Sequence, residues 1–184
     1  MKNNIYYHVV TEKPMYLGQV IIFNENNHSG VYERIQKEKN NIEKVYNNEL
    51  TEISDDLSKA LREDALEEVR KKFFPNYPSR LSCLYVSKTL EEAEFWYNIF
   101  IEQKRPTFQI VKVETNEPSF TGDAWNCFKG TSSKETNYSL AKDYWNNTNN
   151  KKGEKPIYET LITGRIKVIE IIKENTIDLD KYSK

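Results

Sequence analysis

The chain has 184 residues, 38% hydrophobic and 30% charged, which predicts one compact domain over residues 1–184, with a core at about 5–172 and a tail at 173–184. A chain of this length buries roughly 70% of the surface its unfolded form exposes, so Cys83 and Cys127 are not needed as a staple; they fit no metal spacing, and a reducing cytoplasm is the simplest compartment. Lys and Arg number 27 against 28 Asp and Glu, so no global field recruits a polyanion, and neither the start MKNNIYYHVV nor any ~18 to 20-residue apolar run suggests a leader or a membrane span.

The first segment, Ile5-Tyr6-Tyr7-His8-Val9-Val10, is β-branched and aromatic and reads as a short buried strand ended by Thr11-Glu12-Lys13-Pro14. Gln19 to Phe23 is a second apolar run, closed by the Asn-rich turn Asn24 to Asn27. Val31, Ile35, Ile42, Val45 and Tyr46 form a loose helical stripe, interrupted by the polar residues Gln36 to Asn41. The pattern is firmer from Ser54 to Phe74, where Leu57, Leu61, Ala65, Leu66, Val69 and Phe73 recur at three- or four-residue steps. Ser54 is the expected N-cap; Asp55 and Asp56 suit the positive end of the dipole, Arg70, Lys71 and Lys72 the other, and Pro75 stops the helix. Leu81 to Ser87 is short enough for a strand. Thr89-Leu90-Glu91-Glu92 is a capping box that opens a helix to about Glu102. Pro106 separates that helix from a mostly buried strand, Phe108 to Val113. After Glu117-Pro118 comes a loop containing Gly122-Asp123-Ala124-Trp125, then a short helix near Glu135 to Trp145 and a polar, flexible stretch from Asn146 to Lys155. Two strands flank Gly164, Ile157 to Thr163 and Arg165 to Ile172, and Asp178 to Lys184 reads as a frayed tail. Strands at both termini with helices between them give an α+β class.

Three short pieces stand out together. Tyr7-His8-Val9 ends the first strand; Leu84 to Tyr97 is a strand-turn-helix with Tyr85 near the strand end and aromatic residues on the helix; Pro156-Ile157-Tyr158-Glu159-Thr160-Leu161-Ile162 is a late strand with Glu159 near its start. In order, spacing and element type these resemble the ADP-ribosyltransferase superfamily, in the branch built on a His, Tyr, Glu triad that includes diphtheria toxin and the poly(ADP-ribose) polymerases. The resemblance spans about residues 5 to 172. It is nearest to an uncharacterised bacterial domain family grouped with these transferases, whose Gly-Asp-Ala/Ser and Ala-Lys-x-Tyr-Trp segments are similar to Gly122 to Ala124 and Ala141 to Trp145.

The resemblance implies a split antiparallel β-sheet with flanking helices, the strands of His8 and Glu159 sharing one central sheet region and both side chains facing a common cleft. It implies NAD as co-substrate, and transfer of ADP-ribose to a macromolecular acceptor, protein or nucleic acid, with release of nicotinamide. A toxin or a defence or phage effector would act in this way, and a toxin brings a cognate antitoxin as an expected partner. Breaking the N-glycosidic bond of NAD develops positive charge on the ribose, and a carboxylate beside that sugar stabilises it. The resemblance gives this role to Glu159, which would also hold the 2′-hydroxyl and help deprotonate the incoming nucleophile. Tyr85 would stack on the nicotinamide, with Phe95, Trp96 or Tyr97 closing the other face. His8 would bond the adenosine-side ribose as both donor and acceptor, and backbone groups at His8 or Val9 would read the carboxamide. Arg80, just before the second piece, offers its fork to the pyrophosphate or caps the strand.

Two positions depart from the branch: Val9 stands where it usually has Gly, and Ile157, two residues before Glu159, matches neither arginine-directed nor asparagine- or guanine-directed members. The acceptor is therefore open. By their own flanks His8 and Tyr85 also read as core residues and Glu159 as an exposed edge residue. NAD glycohydrolysis, with water in place of the acceptor, and a catalytically silent nucleotide- or partner-binding module are the rival functions. No GxGxxG or GxxxxGK[ST] loop is present, which removes the Rossmann and P-loop readings. Cys83 and Cys127 lack a neighbouring His, which disfavours a thiol nucleophile; His28 reads as solvated, and Lys151 to Lys155 as a solvated loop or a segment that meets the acceptor.

Overall fold

A computed structural model describes residues 3–24 and 26–175; the tail expected at Asp178 to Lys184 lies outside them. The period-two alternation of β1 (Asn4–Val10) sets the layering. Tyr6 and Val10 point into an apolar core shared with Leu84, Val86, Val111, Val113, Ile162, Ile166 and Val168. Val9 points the other way, against Ala93, Tyr97 and Ile110. The first set fills the space between two sheets, and the second packs a helix on the outside of one of them.

One sheet runs β1-β4-β7-β2, using β4 (Gln109–Thr115), β7 (Gly164–Glu174) and β2 (Val20–Phe23). The other runs β3-β6-β5, using β3 (Leu84–Val86), β6 (Tyr158–Ile162) and β5 (Ser119–Asp123). Every ladder is antiparallel, and the class is α+β. The expectation that the strands of His8 and Glu159 share one sheet region is corrected, because β1 and β6 lie in different sheets. The two sheets touch where Tyr7 and Ser87 exchange backbone bonds of 2.9 and 2.8 Å. Between β6 and β7 the chain changes sheets across Thr163 alone. Gly164, at φ 68°, makes that turn where a Cβ would strike the Glu117 side chain.

The segment read as a loop after Pro118 is β5. Gly122 and Asp123 are turn formers by propensity, but five residues in register with β6, from Ser119 opposite Ile162 to Asp123 opposite Tyr158, outweigh it. β7 runs to Glu174, into the stretch expected as tail, and β3 is confined to Leu84–Val86.

Four helices complete the described chain: α1 (Gly30–Tyr46), α2 (Asp55–Phe73), α3 (Leu90–Glu102) and α4 (Lys134–Trp145). The polar run Gln36 to Asn41 stays helical because Ile35, Ile42 and Val45 are buried on α2, against Leu57, Ala60 and Leu61. Ser54 caps α2 by accepting from the Leu57 amide, and Thr89 with Glu92 forms the expected capping box on α3. α2 and α4 cover the second sheet, where Ala65, Leu66, Val69, Ala141, Tyr144 and Trp145 enclose Phe120 and Leu161. The layers run α3, first sheet, second sheet, then α2 and α4. Among the described residues no helix is long and apolar enough to cross a membrane.

Candidate functional site

From the Tyr7–Ser87 bridge, β1 and β3 part instead of continuing as a ladder. The opening leads into a cleft of about 1060 Å³. Its walls are the end of β1, residues 83–87, β2, the first turn of α1, and Lys59, Arg62 and Glu63 of α2. His8, Val9, Tyr85, Arg80, Trp96 and Glu159 all line it.

His8 reaches across the opening, its Nδ1 2.8 Å from the Tyr85 carbonyl oxygen. A carbonyl only accepts, so Nδ1 carries the proton and Nε2 is left as an acceptor. Burial pushes the His8 imidazole down to about 4, against the opposing pull of that bond, and the ring is neutral at pH 7. Of the donor-and-acceptor role expected of it, only the acceptor half is free. Val9 borders the cleft along the strand, while its side chain is buried against Ala93 and Tyr97.

Alternation along β3 and β6 sends Leu84, Val86 and Ile162 toward the first sheet and Tyr85, Glu159 and Leu161 toward the helices. The half-buried Tyr85 donates to the Arg80 carbonyl at 3.4 Å, with its ring 5.2 Å from the guanidinium carbon. Burial lifts this phenol well above its ordinary value, so it is neutral.

Glu159 Oε1 receives Arg80 Nη1 at 2.5 Å and the Tyr144 hydroxyl at 2.7 Å, with Cys127 Sγ 3.7 Å away. Arg80 is 4% exposed. Its other edge forks onto Glu63, Nε to Oε2 at 2.7 Å and Nη2 to Oε1 at 3.2 Å, and Nη1 also donates to the Tyr144 hydroxyl at 2.7 Å. Burial opposes ionisation of Glu63, but the Arg80 and Arg62 guanidiniums overcome it and hold the carboxyl below its usual value. Two carboxylates thus share one buried guanidinium. Arg80, expected to offer its fork to the pyrophosphate or to cap the strand, spends that fork here on Glu63, Glu159 and Tyr144.

Consecutive helical residues point about 100° apart, so Phe95, Trp96 and Tyr97 cannot share a face. Trp96 lines the cleft and donates from Nε1 to the Tyr158 carbonyl at 3.0 Å, tying α3 to the residue before Glu159. Phe95 is 45% exposed and off the cleft, and Tyr97 is buried under β1. Trp96 is therefore the one of these three available to a ligand.

Sequence reasoning missed Glu63 and Tyr144. Nothing marks Glu63 among the charges of α2, whereas Tyr144 lies in the Ala141 to Trp145 segment that carried part of the resemblance. Burial, then the Glu159 charge, pushes the Cys127 thiol up to about 12, and burial raises Cys83 as well, so both thiols are held protonated at neutral pH. His28 is exposed but is among the residues lining the cleft, its ring stacked on Tyr32 with centroids 3.8 Å apart. The stretch Asn146 to Lys155, expected to be flexible, is pinned at Asn150, which donates to Asp123 Oδ2 at 2.7 Å and to the Glu154 carbonyl at 3.0 Å. Among the described residues no group of three or more His, Cys, Asp or Glu offers a metal site.

No curated protein matches the chain. A family model described as "Protein of unknown function (DUF2441)" matches residues 6–174. Because that span takes in both sheets, all four helices and the cleft, the chain belongs to this family.

Proposed function

We propose that the protein is an NAD-dependent ADP-ribosyltransferase that moves ADP-ribose from NAD to a macromolecular acceptor, protein or nucleic acid, and releases nicotinamide. What supports this reading most is that His8, Tyr85, Trp96 and Glu159, from three separate parts of the sequence, line a single cleft at the split between the sheets. The cleft, at about 1060 Å³, is slightly larger than the roughly 300 to 1,000 Å³ common for small-molecule sites, which leaves room for a dinucleotide. Val20 and Ile22 offer it apolar wall, and Lys13, Arg34 and Arg105, beside Glu12, add positive charge to its lining.

In this reading Nε2 of neutral His8 accepts from a ribose hydroxyl. Tyr85 and Trp96 present flat faces to the nicotinamide ring. The Glu159 carboxylate faces the ribose and stabilises the positive charge that builds as its C1′–N bond breaks. Nicotinamide leaves with the electron pair of that bond, the acceptor nucleophile bonds to C1′, and Glu159 takes the nucleophile's proton.

A catalytically silent nucleotide-binding module is the second reading, favoured by the Arg80–Glu159 ion pair, which offsets the charge the chemistry requires. Incubation with NAD labelled on its adenosine side, in lysate and then with purified RNA, DNA and protein fractions, separates them. Label on a polymer is the expected result. Free ADP-ribose alone converts the reading to a glycohydrolase, and intact NAD throughout leaves only the silent module.

A further inference from the structure

All the hydrogen bonds to the Glu159 carboxylate converge on Oε1. Oε2 has no protein partner among the described residues. No buried side-chain nitrogen or oxygen among them is without a partner, so Oε2 opens to solvent, and Glu159 borders the cleft.

The groups behind Oε1 are themselves fixed from three directions. Arg80 comes from the loop before β3, Tyr144 from α4 and Glu63 from α2. The Tyr144 hydroxyl accepts from Arg80 Nη1 and donates to Oε1, so it passes the constraint on. The terminal torsion of a glutamate is broad and soft, and pinning one oxygen removes that freedom. Glu63 holds the far edge of Arg80 and is itself held by Arg62 Nη2 at 2.8 Å, so two guanidiniums face two carboxylates and Arg80 cannot swing away from Glu159 Oε1.

We infer that Arg80, Tyr144 and Glu63 are positioning residues, pinning Oε1 of Glu159 so that Oε2 is the atom presented to the ribose. The inference rests on the NAD-dependent reading of the cleft. Its test is steady-state release of nicotinamide from NAD by wild type, Glu159→Gln, Tyr144→Phe and Glu63→Gln, with NAD binding and thermal melts recorded for each. Tyr144→Phe deletes a single hydroxyl, and kcat is expected to fall about 10- to 100-fold, the usual effect of losing a hydrogen bond to a charged group, while KM for NAD holds. Glu63→Gln, close in shape, is expected to lower kcat in the same way and serves as the readout if Tyr144→Phe does not fold. Folded variants that keep the wild-type kcat, or that raise KM alone, while Glu159→Gln is inactive, overturn the positioning role and leave the NAD reading standing. A wild type that neither binds NAD nor releases nicotinamide overturns both.

Discussion

Gly122 and Glu159 sit opposite each other on β5 and β6, and the bare backbone at Gly122 is the space that the Tyr144 ring occupies on its way to the carboxylate. A Cβ at this position would lie 2.9 Å from Phe120 Cε1 and 3.3 Å from Tyr144 Cε2. The residue across from the carboxylate has to be small for α4 to deliver its phenol. Gly122→Ala is expected to destabilise the protein by about 1 to 3 kcal/mol, the usual cost of overpacking a core. Urea denaturation measures it, and an unchanged midpoint would mean that the two rings yield freely.

Glu159→Gln keeps the size and most of the hydrogen bonding of the side chain and removes its charge. Turnover of NAD is expected to drop by about 10² to 10³, the typical loss for one preorganised electrostatic group at a reacting centre, with affinity for NAD little changed. His8→Ala should do the reverse, weakening NAD binding more than turnover, because a ribose contact is made equally before and during reaction. Calorimetric titration beside nicotinamide release separates the two, and equal rates for Glu159→Gln and wild type would remove Glu159 from the chemistry.

Arg80→Met strips the buried Glu63 and the half-buried Glu159 of their shared cation. The cost is expected to be about 3 to 5 kcal/mol, much of it at Glu63, whose side chain is 1% exposed and keeps only Arg62 as a partner. Adding Glu63→Gln should therefore recover part of the loss. A double-mutant cycle in denaturant checks this, and simple additivity of the two substitutions is the result that contradicts it.

His8 titrates at about 4 in the folded protein against a reference value of 6.5. Between these values the unfolded chain binds the proton and the folded chain does not. The stability tied to this group is therefore complete above about pH 6.5 and is lost as pH falls toward 4, at no more than about 1.4 kcal/mol per pH unit. Glu63, held below its usual value, adds a separate loss at more acidic pH. Denaturation midpoints between pH 7 and 4 for wild type and His8→Gln test the assignment. The variant should lack the upper part of the slope, and parallel curves would place it on another group.

The helices were legible because each carries its own start and stop. Ser54 and Thr89 cap where their sequence position predicts, and Pro75 follows directly on the C-cap of α2. β5 was hidden because Gly122 and Asp123 at its end have turn propensities, and only the ladder to β6 carries the strand through them. Sheet membership was hidden for a similar reason: β6 and β7 look like a hairpin around Gly164, yet the turn there sends the two strands into different sheets. At the cleft, residues on short apolar strands could be singled out because a lone His or Glu stands out there. Glu63 could not, since α2 is rich in charges and burial of one of them is decided by where Arg80 arrives from a different part of the chain.

The seam between the sheets carries a reporter within it. Tyr7 and Ser87 donate the two amides that bridge β1 and β3, and beyond them the strands have no ladder to share. Widening of the cleft strains this rung while the continuous ladders on either side stay intact, so its two amides should exchange with deuterium ahead of their neighbours. A molecule that spans the gap from His8 to Tyr85 would slow them both, and the isotope content of two backbone positions becomes a gauge of occupancy that needs neither turnover nor knowledge of the acceptor.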